Sequence, residues 1–251
     1  MSWSDIIGLG FETLVVLVAT VAITFFGVQF VGRRMGLSPA LSLLVASGFS
    51  ICGNSAIASV NGVAEAKKEE LAAAVGLVTL CGTAAIAVVP ALGGVLGLTD
   101  VQLGVWTGAG VQDTAQVIAV ASAAGPAVLA VAAAVKLTRV LFLAPIVAGV
   151  SIWHRGRTTE SNAKRPALVP LFVVGFLAAV TLRTTAIVPE VLLDLGSRLS
   201  IYALATGMVG LGTSVSFAAL RRLGLKPLAL GAVAWLIVGS VSLGAIIALG
   251  I

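Results

Sequence analysis

The sequence predicts an all-α integral membrane protein, a class indicated by its composition, its long apolar runs and its few charges. Of its 251 residues, 59% are hydrophobic and 10% are charged, and the mean hydropathy is +1.14. Soluble domains carry about 25% charged residues, so this chain cannot cover a globular surface with polar groups. The composition therefore excludes a soluble enzyme, a disordered chain, a collagen and a disulfide scaffold.

Eight stretches are long and apolar enough to be transmembrane helices, since a crossing needs about 20 apolar residues. Helices are expected because a backbone exposed to lipid must satisfy its own hydrogen bonds. The predicted spans are 11–31, 38–63, 71–98, 101–122, 126–152, 168–188, 200–219 and 227–250, in one polytopic domain over residues 1–251. The connectors are short, apart from the polar loop 153–167, which we expect to be cytoplasmic.

Lysine and arginine residues are unevenly shared between the connectors, and this bias predicts the orientation of the chain. With the N-terminus outside, nine basic residues fall in cytoplasmic connectors: Arg33, Arg34, Arg155, Arg157, Lys164, Arg165, Arg221, Arg222 and Lys226. The outer connectors then hold three, namely Lys67, Lys68 and Arg198. Both termini are therefore predicted to lie outside. The net charge of +5 follows from the same bias, so we expect no nucleic acid partner.

Two predicted spans have polar centres that are unfavourable for a continuous helix. The first contains Gly48, Ser50, Cys52, Gly53, Asn54 and Ser55, and the second contains Gly108, Gly110, Gln112, Asp113, Thr114 and Gln116. Glycines alone favour close helix packing. Together with polar side chains that lipid cannot satisfy, they predict two discontinuous helices whose freed ends form a substrate or ion site. The weak similarity of 47–60 to 107–120 fits two broken elements that face each other.

Five charged residues fall within the predicted spans, and three of them are near span centres. Glu12 and Arg183 are near span ends, where long side chains reach the interface. Asp113, Lys136 and Arg139 lie deep, where a charge costs about 2.5–3.5 kcal/mol on insertion scales. Lys136 and Arg139 are three residues apart and therefore share a helix face.

The three deep charges have two interpretations as a group, and Asp113 has a third by itself. One is a buried salt bridge that only holds two helices together. The other is a charged site, in which Asp113 pairs with one cation and the second cation remains free to attract an anion near half-helix N-termini. Asp113 alone could instead carry a proton or sodium ion, as intramembrane carboxylates do.

The remaining chemistry-bearing residues give no sign of a metal site or an enzyme. His154 is the single histidine and is expected at the interface, while Cys52 and Cys81 lie in apolar runs. The sequence lacks a His, Cys, Asp or Glu cluster at ligand spacing, a phosphate loop and a nucleophile motif. We therefore expect no metal, no cofactor and no enzymatic activity.

The motifs SICGNSAI at 50–57, VQDTAQV at 111–117, KLTR at 136–139 and LAP at 143–145 resemble the YeiH-like sulfate exporter family. GLGT at 210–213 and ALRRLGLKPL at 219–228 are similar to its C-terminal signature, so the resemblance covers nearly the whole chain. It implies an inner-membrane protein similar in plan to bile-acid symporters and sodium/proton antiporters, with inverted repeats and two crossing broken helices. Family members commonly carry a histidine–glutamate pair where this chain has Gln112 and Asp113, so the acid is kept in shorter form and the histidine is replaced. They also usually begin with about three further spans, so three interpretations remain open: the chain is an N-terminally short member, another chain supplies the missing segment, or the start site is misassigned.

These observations together predict a secondary transporter of a small anion, sulfate or a related sulfur oxyanion, with proton or sodium coupling. Two alternatives remain open: a sodium/proton antiporter, and a non-transporting membrane subunit whose buried charges are structural. The expected partners are the anion, the coupling ion and the lipid bilayer. A second copy of the chain, or another chain that supplies the missing N-terminal spans, is the expected protein partner.

Overall fold

The computed structural model describes residues 10–64, 66–155 and 224–251, together with scattered residues between 175 and 206. The three continuous ranges contain nine helices and no strand. The helices are α1 (Gly10–Arg34), α2 (Pro39–Ser50), α3 (Asn54–Ala64), α4 (Lys68–Val95), α5 (Asp100–Gly110), α6 (Thr114–Ala124), α7 (Pro126–Leu141), α8 (Leu143–Arg155) and α9 (Leu225–Leu249). Most of the predicted spans 168–188 and 200–219 and of the loop 153–167 lies outside the described residues, as does Arg183.

Four helical stretches of the described chain are long and apolar enough to cross a membrane. They are α1, α4, α9 and the stretch Pro126–Ile152, in which α8 follows α7 after Phe142. These stretches have 25 to 28 residues, and at 1.5 Å per residue they are about 38–42 Å long, more than a hydrocarbon core of about 30 Å. The predicted all-α membrane class is confirmed for this part of the chain.

The predicted span 38–63 forms a helical hairpin, α2–α3. Ser38 caps α2, since its Oγ accepts a hydrogen bond from the Leu41 N–H at 3.1 Å, and Pro39 suits the first helical position. The chain turns at 51–53, where Gly53 has a φ of +68°. A Cβ on Gly48 would lie 2.9 Å from the Ile57 side chain, whereas nine residues of continuous helix span about 13 Å. The two helices therefore pack against each other.

The predicted span 101–122 forms a second hairpin, α5–α6, which turns at 111–113. Gly104 packs on Val131 and Gly108 packs on Val135, so α5 and α7 run parallel. Only Gly125, with a φ of +129°, separates α6 from α7. Because α6 and α7 pack side by side after this one-residue link, α6 runs opposite to both α7 and α5.

The two hairpins enter the bundle from opposite ends. Ser38 Oγ donates a hydrogen bond of 2.5 Å to Glu70 Oε1, so α2 and α4 begin at the same end. This end, called the basic end here, carries Arg33, Arg34, Lys67, Lys68 and Lys226. At the other end, Gln102 near the start of α5 donates a 2.7 Å hydrogen bond to the Ile251 carbonyl, which follows α9.

The prediction that 38–63 and 101–122 each cross the membrane once is therefore wrong. Each helix of these pairs has 11 or 12 residues, or about 17–18 Å, which is little more than half of the hydrocarbon thickness. Each pair reaches the middle of the bundle and returns to the end from which it came. The assignment of Lys67 and Lys68 to the end opposite Arg33 and Arg34 is wrong for the same reason.

The hairpins belong to two units that repeat with an offset of 60 residues. Adding 60 to the bounds of the first turn, 51–53, gives 111–113, and adding 60 to the bounds of α3 gives those of α6. Each hairpin is followed by a long helical stretch, α4 in the first unit and α7 with α8 in the second. Because the hairpins enter from opposite ends, the two units form an inverted repeat.

The hairpin assignment can be tested by labelling single introduced cysteines from either side of the membrane, with Cys52 and Cys81 replaced by alanine. We expect Arg34→Cys and Lys67→Cys to react from the same side, because both ends of α2–α3 lie at the basic end. Leu96→Cys, at the exposed end of α4, should react from the other side and serves as the control. Labelling of Arg34→Cys and Lys67→Cys from opposite sides would show a single crossing.

Candidate site at the two hairpin turns

The turns of the two hairpins touch each other in the middle of the bundle. A Cβ on Gly53 would lie 3.3 Å from the Gln112 carbonyl oxygen and 3.2 Å from Asp113 Oδ2. Any residue larger than glycine at position 53 would therefore be unfavourable for two reasons: the backbone is left-handed there, and its side chain would lie too close to the turn at 111–113. The contact brings the carboxyl ends of α2 and α5 close to the amino ends of α3 and α6.

Lys136 and Arg139 of α7 bind the main-chain carbonyls at these turns, and both side chains are fully buried. Lys136 Nζ donates to the carbonyls of Ile51 (3.1 Å), Val111 (2.9 Å) and Gln112. These three acceptors match the three N–H groups of an ammonium.

The Arg139 guanidinium connects the two turns in the same way. Its Nε donates to the Ser50 carbonyl at 2.7 Å, one terminal nitrogen donates to Val111 at 3.2 Å and the other donates to Phe49. The last carbonyls of α2 and α5 have no partner within their own helices and carry the negative end of the helix dipole. A cation that binds them there replaces the water that lipid excludes.

This arrangement corrects both sequence-based interpretations of the three deep charges. Asp113 pairs with neither cation, since Arg198–Asp194 is the one salt bridge found among the described residues. Neither cation is left free for an anion, because both side chains are enclosed and bind carbonyls. The reason is that two helix carboxyl ends, each short of hydrogen-bond donors, lie closer to the cations than the acid does.

Asp113 instead caps α6. Its Oδ1 accepts a hydrogen bond of 3.0 Å from the Ala115 N–H, and its own N–H donates to Gln116 Oε1 at 3.3 Å, which completes a capping box. Its Oδ2 lies against Gly53, next to the start of α3. The half-buried carboxylate therefore lies between the positive amino ends of two helices.

Thr79 of α4 connects the same two helix starts and was missed by sequence reasoning. Its carbonyl accepts a hydrogen bond of 3.2 Å from Gln116 Nε2, and its Oγ1 accepts one of 3.3 Å from Asn54 Nδ2. A threonine in an apolar helix gives no signal by itself, because its hydroxyl commonly bonds within its own turn. The 60-residue repeat does give a signal: position 79 of the first unit corresponds to position 139 of the second unit, which is the site residue Arg139.

The other predicted site residues divide between an enclosed and a partly exposed group. Ser50, Cys52 and Gln112 are buried beside the cations, and the Ser50 hydroxyl is 3.4 Å from the Ser47 carbonyl. Ser55 is exposed, while Asn54 and Thr114 are half-buried. Asn54 Oδ1 and Gln112 Oε1 have no hydrogen-bond partner in the described part of the chain.

Three of the four predicted helix breaks are corrected. Gly48, Gly108 and Gly110 lie inside α2 and α5, where they allow close packing. A Cβ on Gly108 would lie 2.7 Å from the Ala132 carbonyl oxygen, and one on Gly110 would lie 3.2 Å from Ser242 Oγ. Only Gly53 lies in a turn. Small residues at helix contacts therefore explain the other three.

The fold and these turns define a polytopic α-helical membrane protein built from inverted hairpin units. The chain belongs to the family described as conserved hypothetical protein 698, whose model matches residues 1–231. No solved structure matches it.

The chain is also similar to membrane proteins from three bacteria. The chain is 41% identical over 242 residues to a UPF0324 membrane protein of Corynebacterium glutamicum, with 96% of this chain and 70% of the relative covered. It is 35% identical over 216 residues to one of Agrobacterium fabrum, with 86% and 62% covered. It is 32% identical over 251 residues to one of Pseudomonas aeruginosa, with 95% and 71% covered. The names of these relatives confirm a membrane protein and state no activity.

Removal of the Arg139 guanidinium should destabilise the fold. We expect Arg139→Met to lower the free energy of unfolding by about 3 kcal/mol or more, because three buried carbonyls lose a charged donor. Arg139→Lys should lower the free energy of unfolding by less, since lysine keeps the positive charge but lacks the planar set of N–H donors of the guanidinium. Thermal unfolding in detergent measures the effect, with the exposed Lys68→Met as the control. Equal stability of the two methionine variants would contradict the assigned role.

A methyl group at Gly82 should disturb the contact between α4 and α6. Its Cβ would overlap the side-chain amide of Gln116, so we expect Gly82→Ala to cost about 1–3 kcal/mol of unfolding free energy. Gly94→Ala on the same helix is the matched control, because nothing lies within 4 Å of its Cβ position. That control should be neutral or gain up to about 1 kcal/mol. A neutral Gly82→Ala would show that Gln116 does not need this space.

Proposed function

We propose that this protein is a secondary transporter of a small anion, sulfate or a related sulfur oxyanion. One observation carries the proposal: two hairpins from opposite ends bring polar turns together in the middle of the bundle, beside a partly exposed carboxylate. Secondary transporters build their substrate sites from helix ends that are freed near the bilayer midplane, and the four helix ends at the two hairpin turns would serve in the same way. The motif resemblance to the YeiH-like sulfate exporters supports the same substrate class.

The substrate site in this proposal lies at the amino ends of α3 and α6. The carboxyl ends of α2 and α5 are neutralised by Lys136 and Arg139, which leaves the amino-end dipoles as the attraction for an anion. Asn54, Ser55 and Thr114 supply an amide, a hydroxyl and a second hydroxyl on the partly exposed side. Lys136 and Arg139 act by holding the turns in place.

Asp113 provides the coupling in this proposal. Its carboxylate already lies between the two amino ends, where it would repel a substrate anion. A proton or a sodium ion bound to Asp113 cancels that charge and makes the helix ends available to the substrate. The anion and the coupling ion would therefore occupy the site together, and movement of the hairpins against the remaining helices would open it alternately to each side.

The proposed orientation is that of a multi-pass protein of the inner membrane with both termini outside. The hairpin geometry supports this, since Lys67 and Lys68 join Arg33, Arg34 and Lys226 at one end of the bundle. Basic residues favour the cytoplasmic side. The hairpin α2–α3 would then enter from the cytoplasm and α5–α6 from outside.

Sodium/proton antiport is the second candidate, and a separate observation favours it. Asn54 Oδ1 lies without a partner at the start of α3, the helix end against which the Asp113 carboxylate packs. Carboxylate and amide oxygens are ligands suited to a hard cation. In this case the cation itself would be the substrate.

Currents on solid-supported membranes, recorded with sulfate, sulfite, taurine and sodium in turn, distinguish these functions. We expect an anion-dependent current in the wild type, and a flux in Asp113→Asn that no longer depends on the proton or sodium gradient, because the carboxylate proposed to bind the coupling ion is gone. Glu12→Gln is the control, since Glu12 is an exposed acid in the first turn of α1. Proton flux that needs sodium and no anion would favour the antiporter. The absence of any current, together with no uptake of labelled sulfate and no proton flux in proteoliposomes, would leave a non-transporting subunit with structural charges.

A further inference from the structure

Among the described helices, a long groove runs along the surface between α1 and α8. It has a volume of about 730 Å³. Its walls include the exposed rings of Phe26 and Phe30 on one side and Ile146 and Gly149 on the other, and Leu43 of α2 lies at its floor. Of the described residues that line it, the polar ones, Gln29 and Arg33, lie near one end.

The length and polarity of the groove match one leaflet of a bilayer. Its α1 wall extends from Val18 to Arg33, which is about 22 Å of helix. Half of the hydrocarbon core is about 15 Å, and the headgroup region adds several more. The apolar part therefore reaches the depth of the membrane centre, while Arg33 lies at the depth of the headgroups.

The charge at the mouth of the groove selects the headgroup. Arg33 lies at the basic end, with Arg34, Lys67 and Lys68 at the same end of the bundle. Guanidinium groups bind phosphate through paired hydrogen bonds. A cluster of basic residues at the membrane surface attracts anionic lipid in preference to zwitterionic lipid.

We propose that this groove binds an acyl chain of an anionic phospholipid, with the lipid phosphate at Arg33. The bound chain contacts α2 through Leu43, so the lipid packs directly against the first hairpin. Gly149 keeps the α8 wall open, because no described residue lies within 4 Å of its Cβ position. The site does not depend on the proposed transport function, and it would exist equally in an antiporter or a non-transporting subunit.

Thermal unfolding of the purified protein in detergent tests the proposal. We expect phosphatidylglycerol to raise the Tm by several degrees more than phosphatidylcholine does. Arg33→Gln should remove at least half of that difference through the headgroup, and Gly149→Leu should do so by filling the groove. The matched controls are Lys226→Gln, an exposed cation at the same end, and Gly244→Leu, an exposed glycine with equally open space. Both controls should keep the full difference.

Fluorescence quenching gives a second measurement that does not depend on stability. Phe26→Trp places an indole in the groove wall, and brominated phosphatidylglycerol should quench it at least twofold more than brominated phosphatidylcholine. Equal quenching by the two lipids, or Tm differences that Arg33→Gln and Gly149→Leu leave unchanged, would overturn the proposal. Crosslinking of position 26 to another part of the chain or to a second copy, in place of lipid, would also overturn it.

Discussion

The architecture depends on two cations of α7 that bind the carboxyl ends of two short helices. α2 and α5 both end in the middle of the bundle, where lipid and protein exclude water and each helix leaves its last carbonyls without partners. Lys136 and Arg139 donate to five carbonyls at these ends, those of residues 49–50 in the last turn of α2 and of residues 51, 111 and 112 in the two hairpin turns. Without these donors, a helix that stops at mid-depth would carry an unpaired negative end, and a continuous crossing would be more favourable.

The cations also account for the separation of charge across the two turns. The carboxyl ends receive two positive side chains that are fully enclosed, while the amino ends receive one carboxylate that is half-buried. The enclosed side is fixed by its hydrogen bonds. The other side has a half-buried carboxylate next to exposed and half-buried polar residues, and this difference is the physical basis for placing the proposed substrate site there.

Much of this arrangement could be predicted from the sequence. Composition and the lengths of apolar runs gave the membrane class, and the polar stretches around Gly53 and Asp113 marked where the two turns lie. The direction of the chain after each turn was not predictable, because an uncharged stretch of 26 residues such as 38–63 is compatible both with one crossing and with two half-length helices that fold back. Packing between Gly48 and Ile57, and between Gly108 and Val135, decides between these outcomes, and such contacts have no signature in local hydropathy. The partners of Lys136 and Arg139 could not be predicted, because they are main-chain carbonyls. Every residue has one, and the sequence does not mark which carbonyls lack a partner.

The order of synthesis has a consequence for the first hairpin. The bond between Arg139 and the Ser50 carbonyl joins residues 89 positions apart, and at 5–20 residues per second the ribosome needs about 4–18 s to make that interval. During this time α2 is complete but lacks the donors that later satisfy its end. The nascent hairpin therefore stays where water can bind the free carbonyls of α2, at the insertion machinery or the membrane surface, until α7 has been synthesised. Its entry to mid-depth is then a late step in biogenesis, set by a helix of the second repeat.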